Sequence, residues 1–261
     1  TVITKLKIRQ FVKKKNFIFF KKIFDEIKLG NIPKIDMHNH TNWTDGKDSI
    51  KKMYKSAQKK KLDYFLFSEH SRASSKEWFP KFAKEIRSLK KNKTNFFVGT
   101  EVKIKNYKGD LDLDKTVKKK CDFIMASVHR FPGETGNIKK NKITLSKKKA
   151  LEIEFSLMKS AIIKNKEFDI LGHPFGMSLK RFKAKPKIIN FEKIIKLCKK
   201  YKKAFEINYS YHKNPKKLLA LCIKYKCMVS LGSNSHKVSE VGSVLKKEYW
   251  NEKNQSISYW H

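Results

Sequence analysis

The residues in this sequence best suited to chemistry are histidines that end short apolar runs. His38 and His40 are two residues apart in the run 35–40, so both imidazoles point to one side if the run is a strand. Two imidazoles on one side of a strand can bind a single metal ion. A polar loop with Asp45 follows at once and adds a carboxylate. An isolated pair of this kind is weak support for a metal site, so its weight depends on the rest of the chain.

The same pattern recurs along the sequence, because further apolar runs end in a histidine or an acid. Six of the eight histidines lie at such ends, which chance placement does not explain. Parallel strands of a barrel bring their carboxyl ends to one rim, and a metal centre there needs this arrangement. The candidate ligands are His38, His40, Asp45, His70, Glu101, His129, His173 and His236.

Strand-like and helix-like stretches alternate from residue 35 onward. Short apolar runs predict seven strands, at 35–39, 63–67, 96–101, 122–128, 168–172, 204–208 and 227–231. Alternation of this kind favours a parallel sheet, closed or nearly closed. The length of 261 residues suits one α/β barrel, whose typical size is about 250 residues. A hairpin-like excursion is predicted at 102–114, a Gly/Pro loop after 172, and a last helix near 237–249.

Residues 1–33 predict an N-terminal helical extension, either one amphipathic helix or a pair. Gly30 and Pro33 mark its end. We expect the extension to pack across the outside or the bottom of a barrel domain that spans residues 34–261. A basic helix lying on a membrane surface is the alternative.

The formal charge of +38 is extreme and by itself indicates a polyanionic partner such as nucleic acid. The charge is mostly lysine and is spread through every predicted helix. An A/T-rich genome would produce the same abundance of Lys, Asn, Ile and Phe. A specific role and a compositional origin therefore both stay open, and an anionic substrate is attracted either way.

The cysteines indicate a reducing compartment. The four cysteines form no C-x-x-C pair and no secreted disulfide pattern, so we expect a cytoplasmic protein with reduced thiols. No apolar run approaches the roughly 18 residues that span a membrane, and lysines interrupt the apolar N-terminal segment, which argues against a signal peptide. The sequence does not indicate an oligomeric state.

The motif order H-x-H, D-G, E-H, G-x-E, S-x-H, G-H-P and G-S-x-x-H resembles the polymerase and histidinol phosphatase (PHP) superfamily over about residues 35–245. The resemblance implies an α/β fold, a distorted seven-stranded (β/α)7 TIM-like barrel. It also implies a metal-dependent phosphoesterase centre with two or three divalent ions on the carboxyl face of the strands. Clustered imidazoles and carboxylates suit Zn, Mn or Fe and do not separate them.

Carried over by motif, the resemblance assigns the ligands to three ions. His38 and His40 bind the first, Glu101 bridges it to the second, and Glu101, His236 and Asp45 are the expected catalytic residues. Family members usually carry Asp where this chain has Asn234, and a neutral amide is a weaker ligand, so the number of ions stays open. The remaining assignments are His129 and His173 to the second ion, and Asp45, His70 and His236 to the third.

Three of the five arginines follow ligand positions and are expected to bind substrate phosphate, because a guanidinium makes bidentate phosphate contacts. They are Arg72, Arg130 and Arg181. Asp36 reads either as the partner of a ligand histidine or as an ordinary strand-edge acid. Glu206 and Asn208 resemble the family's E-I-N motif and predict a structural role, and His212 and His261 are left unassigned.

The leading function is hydrolysis of a small phosphomonoester such as histidinol phosphate or a nucleotide. A nuclease acting on nucleic-acid ends is the second interpretation, although the sequence has no evident aromatic and basic stacking platform. The third is an inactive scaffold, which only Asn234 supports. A metal-dependent deaminase also begins with H-x-H, but Glu101 and the final G-S-x-x-H fit it poorly.

Overall fold

The computed structural model describes residues 2–90, 92–136 and 143–251, with side chains from residue 15 onward. Seven parallel strands form one sheet in sequence order. They are β1 (Ile35–Asn39), β2 (Tyr64–Ser71), β3 (Asn95–Lys103), β4 (Phe123–Ser127), β5 (Ile170–Leu171), β6 (Ala204–Asn208) and β7 (Val229–Gly232). After β7 the chain returns to β1, where the His40 amide donates to the Ser235 carbonyl at 2.8 Å. The predicted nearly closed α/β barrel is therefore confirmed.

Helices alternate with the strands and cover the sheet. They are α1 (Val2–Lys28), α2 (Ile50–Lys59), α3 (Phe79–Arg87), α4 (Lys115–Lys120), α5 (Lys147–Lys164), α6 (Gly176–Phe182), α7 (Ile188–Lys200), α8 (Pro215–Lys224) and α9 (Lys247–Trp250). Residues on β1, β4 and β6 are buried throughout, as expected for parallel strands covered on both faces. None of the described helices is long and apolar enough to cross a membrane.

The N-terminal helix α1 packs across the beginnings of neighbouring strands. The Phe19 ring lies 5.0 Å from Tyr64, 5.7 Å from Phe97 and 5.1 Å from Phe123, measured between centroids. Phe20 and Ile23 are buried in the same apolar cluster as the strands. This end of the barrel is opposite the carboxyl ends where the candidate ligands lie. The division into an extension and a barrel domain stays a prediction.

Two local predictions differ from the structure, and one is confirmed. The segment after residue 172 contains α6, whose first amides donate to the buried Glu154 carboxylate on α5. The predicted helix near 237–249 is replaced by two single 3₁₀ turns and α9. Gly242, with φ of 69°, separates the two turns, and its amide donates to Asp36 at 2.7 Å. The predicted excursion does form, with an antiparallel bridge between Ile104 and Leu111.

Candidate metal centre

The Glu101 carboxylate lies at the centre of the barrel's carboxyl face, surrounded by imidazoles from four other strand ends. It is buried on β3. Five ring nitrogens approach it: His38 Nε2 at 3.3 Å, His40 Nε2 at 3.5 Å, His70 Nδ1 at 3.2 Å, His129 Nε2 at 3.1 Å and His173 Nε2 at 2.8 Å. The strands thus bring together the ligand positions that are separated by up to 135 residues along the chain between His38 and His173.

A second carboxylate closes the cluster on the solvent side. Asp45 lies on the loop after β1 and is half-exposed. Its Oδ2 lies 3.4 Å from His70 Nε2 and 3.3 Å from His236 Nε2, and its Oδ1 lies 3.9 Å from His40 Nδ1. The loop turns back tightly on β1, since a Cβ on Gly46 would lie 2.6 Å from the His40 carbonyl oxygen.

The donor atoms fall into three overlapping groups whose members lie within 4.8 Å of one another. Glu101 belongs to two of the groups, and His40 and His70 also belong to two each, so a ligand can serve neighbouring ions. The groups are His40, Asp45, His70 and His236; His38, His40 and Glu101; and His70, Glu101 and His129. A set of imidazoles and carboxylates with this spacing binds divalent metal.

The hydrogen bonds around the cluster support this assignment. Carboxylate and carbonyl oxygens accept from His38 Nδ1 (Glu206 Oε1, 2.7 Å) and His236 Nδ1 (Asn234 O, 3.0 Å). An oxygen that only accepts places the ring proton on Nδ1, which leaves the Nε2 lone pair toward the centre. His38 Nε2 and His40 Nε2 lie 3.0 Å apart, and the buried His40 Nδ1 has no hydrogen-bond partner among the described residues. The donor set therefore fits metal ions.

The charges in the cluster are strongly coupled. Burial would raise the pKa of Glu101, but the charges of His129 and His38 outweigh it and hold that pKa well below its ordinary range. Burial would lower the pKa of His38, yet Glu206 and Glu101 raise it well above its ordinary value. The pKa of His40 moves the other way, because burial and the neighbouring His70 both lower it. Glu101 is therefore ionised and His40 neutral, as metal ligands must be, whereas His38 holds a proton that a metal ion has to displace.

Glu206 positions two of the histidines. The sequence predicted a structural role for this residue but did not identify these contacts. It is fully buried on β6, with Oε1 on His38 Nδ1 and Oε2 accepting from the His173 amide at 2.5 Å. A Cβ on Gly232 would lie 2.1 Å from Glu206 Oε1, so glycine is required for this approach. Asp36, the other candidate partner of a ligand histidine, instead accepts from the Ser233 and Gly242 amides.

We expect Glu206→Gln to weaken metal binding or turnover about 10- to 100-fold, the usual cost of losing the partner of a ligand imidazole. An amide nitrogen facing His38 Nδ1 removes the charged acceptor that fixes the ring's tautomer. Chelator competition and kcat measure the effect. The matched control is Asp169→Asn, since that carboxylate accepts from the Ile124 amide at the opposite end of the barrel. Equal losses in both variants would show general destabilisation instead of positioning.

The three arginines with expected phosphate contacts occupy different surroundings. Arg72 and Arg130 line a cavity of about 610 Å³ together with the ligands Asp45, His70, Glu101 and His129. Arg181 instead forms a two-pronged ion pair with the Glu134 carboxylate and lies over the Phe131 and Phe182 rings. Because Glu134 already neutralises the charge of Arg181, we propose phosphate binding for Arg72 and Arg130 alone.

Asn234 lies beside His236 at the edge of the cluster. Its φ of 54° is in the left-handed region, which Asn and Asp tolerate better than most residues. It lines a surface cavity together with Tyr211 and His236. His212, unassigned from sequence, is buried and bonded to the Asn208 amide and the Pro174 carbonyl, which fixes the loop carrying His173. His261 lies outside the described residues.

Comparison with known proteins gives a consistent picture. A family model described as PHP domain matches residues 36–210, which hold the predicted ligands other than Asn234 and His236. A solved structure of histidinol phosphate phosphatase from Lactococcus lactis subsp. lactis Il1403, complexed with zinc, L-histidinol and phosphate, has a TM-score of 0.58. It is 18% identical and covers 82% of this chain and 92% of that one, a likeness of fold.

Two curated proteins resemble the chain in sequence. DNA polymerase/3'-5' exonuclease PolX of Bacillus subtilis (strain 168) is 28% identical over 190 residues, which are 70% of this chain and 30% of PolX. A probable phosphatase of Caldicellulosiruptor bescii is 27% identical over 206 residues, 75% of this chain and 76% of that protein. The chain thus spans less than a third of PolX and about three quarters of the phosphatase.

Proposed function

Because this chain belongs to the PHP domain family and is a phosphoric ester hydrolase, we propose that it is a metal-dependent phosphatase of a small phosphomonoester. The observation that carries the proposal is that four candidate ligands and two arginines line a single cavity. The alignment with a probable phosphatase over three quarters of both chains supports it. In this proposal the centre holds two or three ions of Zn, Mn or Fe.

The chain's own residues divide the work in this proposal. Divalent ions at such a centre neutralise phosphate charge and activate a water molecule. Glu101 would be a ligand shared by neighbouring ions, because its Oε2 faces His38 and its Oε1 faces His129. The His236 and His70 rings, 3.3 and 3.4 Å from the carboxylate, offset the effect of burial and keep the pKa of Asp45 far below its usual range, so Asp45 stays an ionised ligand. Glu101, His236 and Asp45 are the residues we assign to catalysis.

Phosphate release is the direct test of this function. The purified chain is loaded with each metal and incubated with phosphomonoesters, nucleotides and short oligonucleotides. We expect inorganic phosphate from at least one monoester and no release after treatment with a chelator. Metal-loaded protein that releases no phosphate from any monoester would contradict the proposal.

Arg72→Ala and Arg130→Ala should each raise KM, with kcat less affected, by the loss of a charge-assisted contact of about 1.5–3 kcal/mol. Both side chains line the ligand cavity. Arg87→Ala is the matched control, because that guanidinium binds the Lys120 carbonyl and Asp122, at the beginnings of the strands. Unchanged KM in both cavity variants on the best substrate would remove these arginines from phosphate binding.

A nuclease acting on nucleic-acid ends is the second candidate. The observation that favours it is the alignment of 70% of this chain with a protein named as a polymerase and exonuclease. The net charge of +38 is compatible with a polyanion. Shortening of an unphosphorylated oligonucleotide by the metal-loaded chain, without phosphate release from monoesters, would favour this activity over the phosphatase.

A further inference from the structure

Two tryptophans line the same cavity as the metal ligands. The sequence has four tryptophans, and Trp43 and Trp78 both contribute to this wall. Trp43 lies on the loop between the ligands His40 and Asp45, and Trp78 follows the segment that carries Arg72. Both indoles are partly exposed. Loops that follow barrel strands are the usual place for groups that contact a substrate.

The two indoles stack against each other and are firmly held. Their ring centroids are 5.9 Å apart and their planes differ by 23°. The Trp43 Nε1–H donates to Glu85 at 2.9 Å, which fixes the orientation of that ring. The buried Phe82 lies 6.1 Å from Trp43 and 5.9 Å from Trp78, so it supports both from below. Phe82 and Phe79 are buried in the apolar core, and the indoles pack against this core from the side of the cavity.

The cavity therefore combines three kinds of group. It has metal ligands and Arg72 and Arg130 for a phosphate, and a rigid aromatic surface for an apolar flat group. Its volume of about 610 Å³ lies within the range of roughly 300–1,000 Å³ that is usual for small-ligand sites. Bases stack on tryptophan because every nucleobase has a π-face, and a nearby guanidinium adds to such stacking. The sequence did not show this combination, since Trp43 and Trp78 are 35 positions apart.

We propose that the substrate is a nucleoside monophosphate whose base stacks on the Trp43–Trp78 surface while its phosphate lies at the metal centre. This inference rests on the proposed phosphatase function and deepens it. The hydrolysis breaks the bond between phosphorus and the ester oxygen; water supplies the oxygen to phosphate, and the nucleoside leaves with a proton. Trp78 is a specificity-determining residue in this scheme, because it contacts the part of the substrate that does not react.

Adenosine monophosphate and ribose 5-phosphate form a matched pair of substrates, since they share the phosphate and sugar and differ by the base. We expect metal-loaded parent protein to prefer adenosine monophosphate in kcat/KM. Trp78→Leu should lower kcat/KM for adenosine monophosphate about ten-fold and leave ribose 5-phosphate unchanged. Trp78→Phe, which keeps a ring, should retain the preference. Trp78→Met is the replacement variant if leucine lowers the melting temperature.

The outcomes separate this inference from the proposed function. Equal kcat/KM for both substrates, or a Trp78→Leu loss that is the same for both, would overturn the stacking site and leave the phosphatase intact. Faster turnover of histidinol phosphate with the same dependence on Trp78 would overturn the choice of a nucleobase. If neither of these substrates nor any other monoester is hydrolysed, the phosphatase proposal fails, and calorimetric binding of the same pair tests the site. Tighter binding of adenosine monophosphate would then support it, and equal or absent binding would overturn it.

Discussion

Replacement of Glu101 by Gln is expected to lower turnover by more than about 100-fold, beyond the usual loss for residues that act through a ligand. Glu101 contacts five imidazoles and belongs to two of the three donor groups. An amide has one acceptor oxygen and no charge, so it cannot serve two ions. The chain should therefore lose at least part of its metal, and the imidazoles that remain should repel one another once protonated.

The barrel should survive this substitution. Gln has nearly the shape of Glu, and the β3 backbone is held by its pairing with β2 and β4. Phosphate release, metal content by elemental analysis and a melting curve separate the effects. Glu192→Gln is the control for the same chemical change on α7, where the carboxylate bonds Tyr225. Parent-like turnover with unchanged metal content in Glu101→Gln would refute the central role of this carboxylate.

The barrel and the positions of the candidate ligands could be predicted from sequence because both depend on local pattern. β1 and β6 were predicted with their observed bounds, since each is a short apolar run between polar segments. Parallel pairing then places every strand's carboxyl end on one face, so the sequence places His38 and Glu101 at the same rim of the barrel. The predicted bounds were less accurate where tertiary contacts decide the length of a strand. For β5 the sequence predicted a strand at 168–172, and the structure has two paired residues.

The contacts of side chains across the barrel could not be predicted in the same way. Glu206 reaches His38 across 168 positions of the sequence, and Arg181 reaches Glu134 across 47. Neither contact follows from periodicity: the first depends on closure of the barrel between β7 and β1, and the second joins the segments that follow the neighbouring strands β4 and β5. The helix α6 was missed because its cap is a tertiary contact. A carboxylate from α5 caps its amides, and no local capping residue precedes it.

Removal of the metal should abolish turnover, and the metal should be held less firmly as the pH falls. Without metal, protons on the imidazoles balance the charge of the carboxylates. Burial lowers the pKa of His70, but Glu101 and Asp45 outweigh burial and raise that pKa above its ordinary 6.5. The pKa of His236 is raised as well, because Asp45 outweighs burial there too. Metal ions must displace these protons, so proton competition persists above the ordinary histidine pKa.

The same pKa shifts decide how the stability of the metal-free protein varies with pH. A histidine whose pKa is raised by folding stabilises the fold below 6.5, its ordinary value, and this contribution disappears as the pH rises through the folded value. A depressed carboxyl pKa, as for Glu101 and Glu206, stabilises the fold above 4.5 and is lost as the pH falls. The metal-free protein should therefore be most stable between these values and weaken at alkaline pH, where metal binding is strongest.

The difference in melting temperature between metal-loaded and metal-free protein should accordingly be larger at about pH 8 than at about pH 6. Dialysis against a weak chelator over the same range gives the metal retained, and calorimetry in buffers of different ionisation enthalpy counts the protons released. Asn234→Asp adds a carboxylate beside His236 and should extend metal retention to lower pH. A melting difference that is independent of pH, with no protons released on binding, would show that the imidazoles near Glu101 and Asp45 are already neutral in the metal-free protein. Turnover that persists after complete removal of metal would exclude this centre from the reaction.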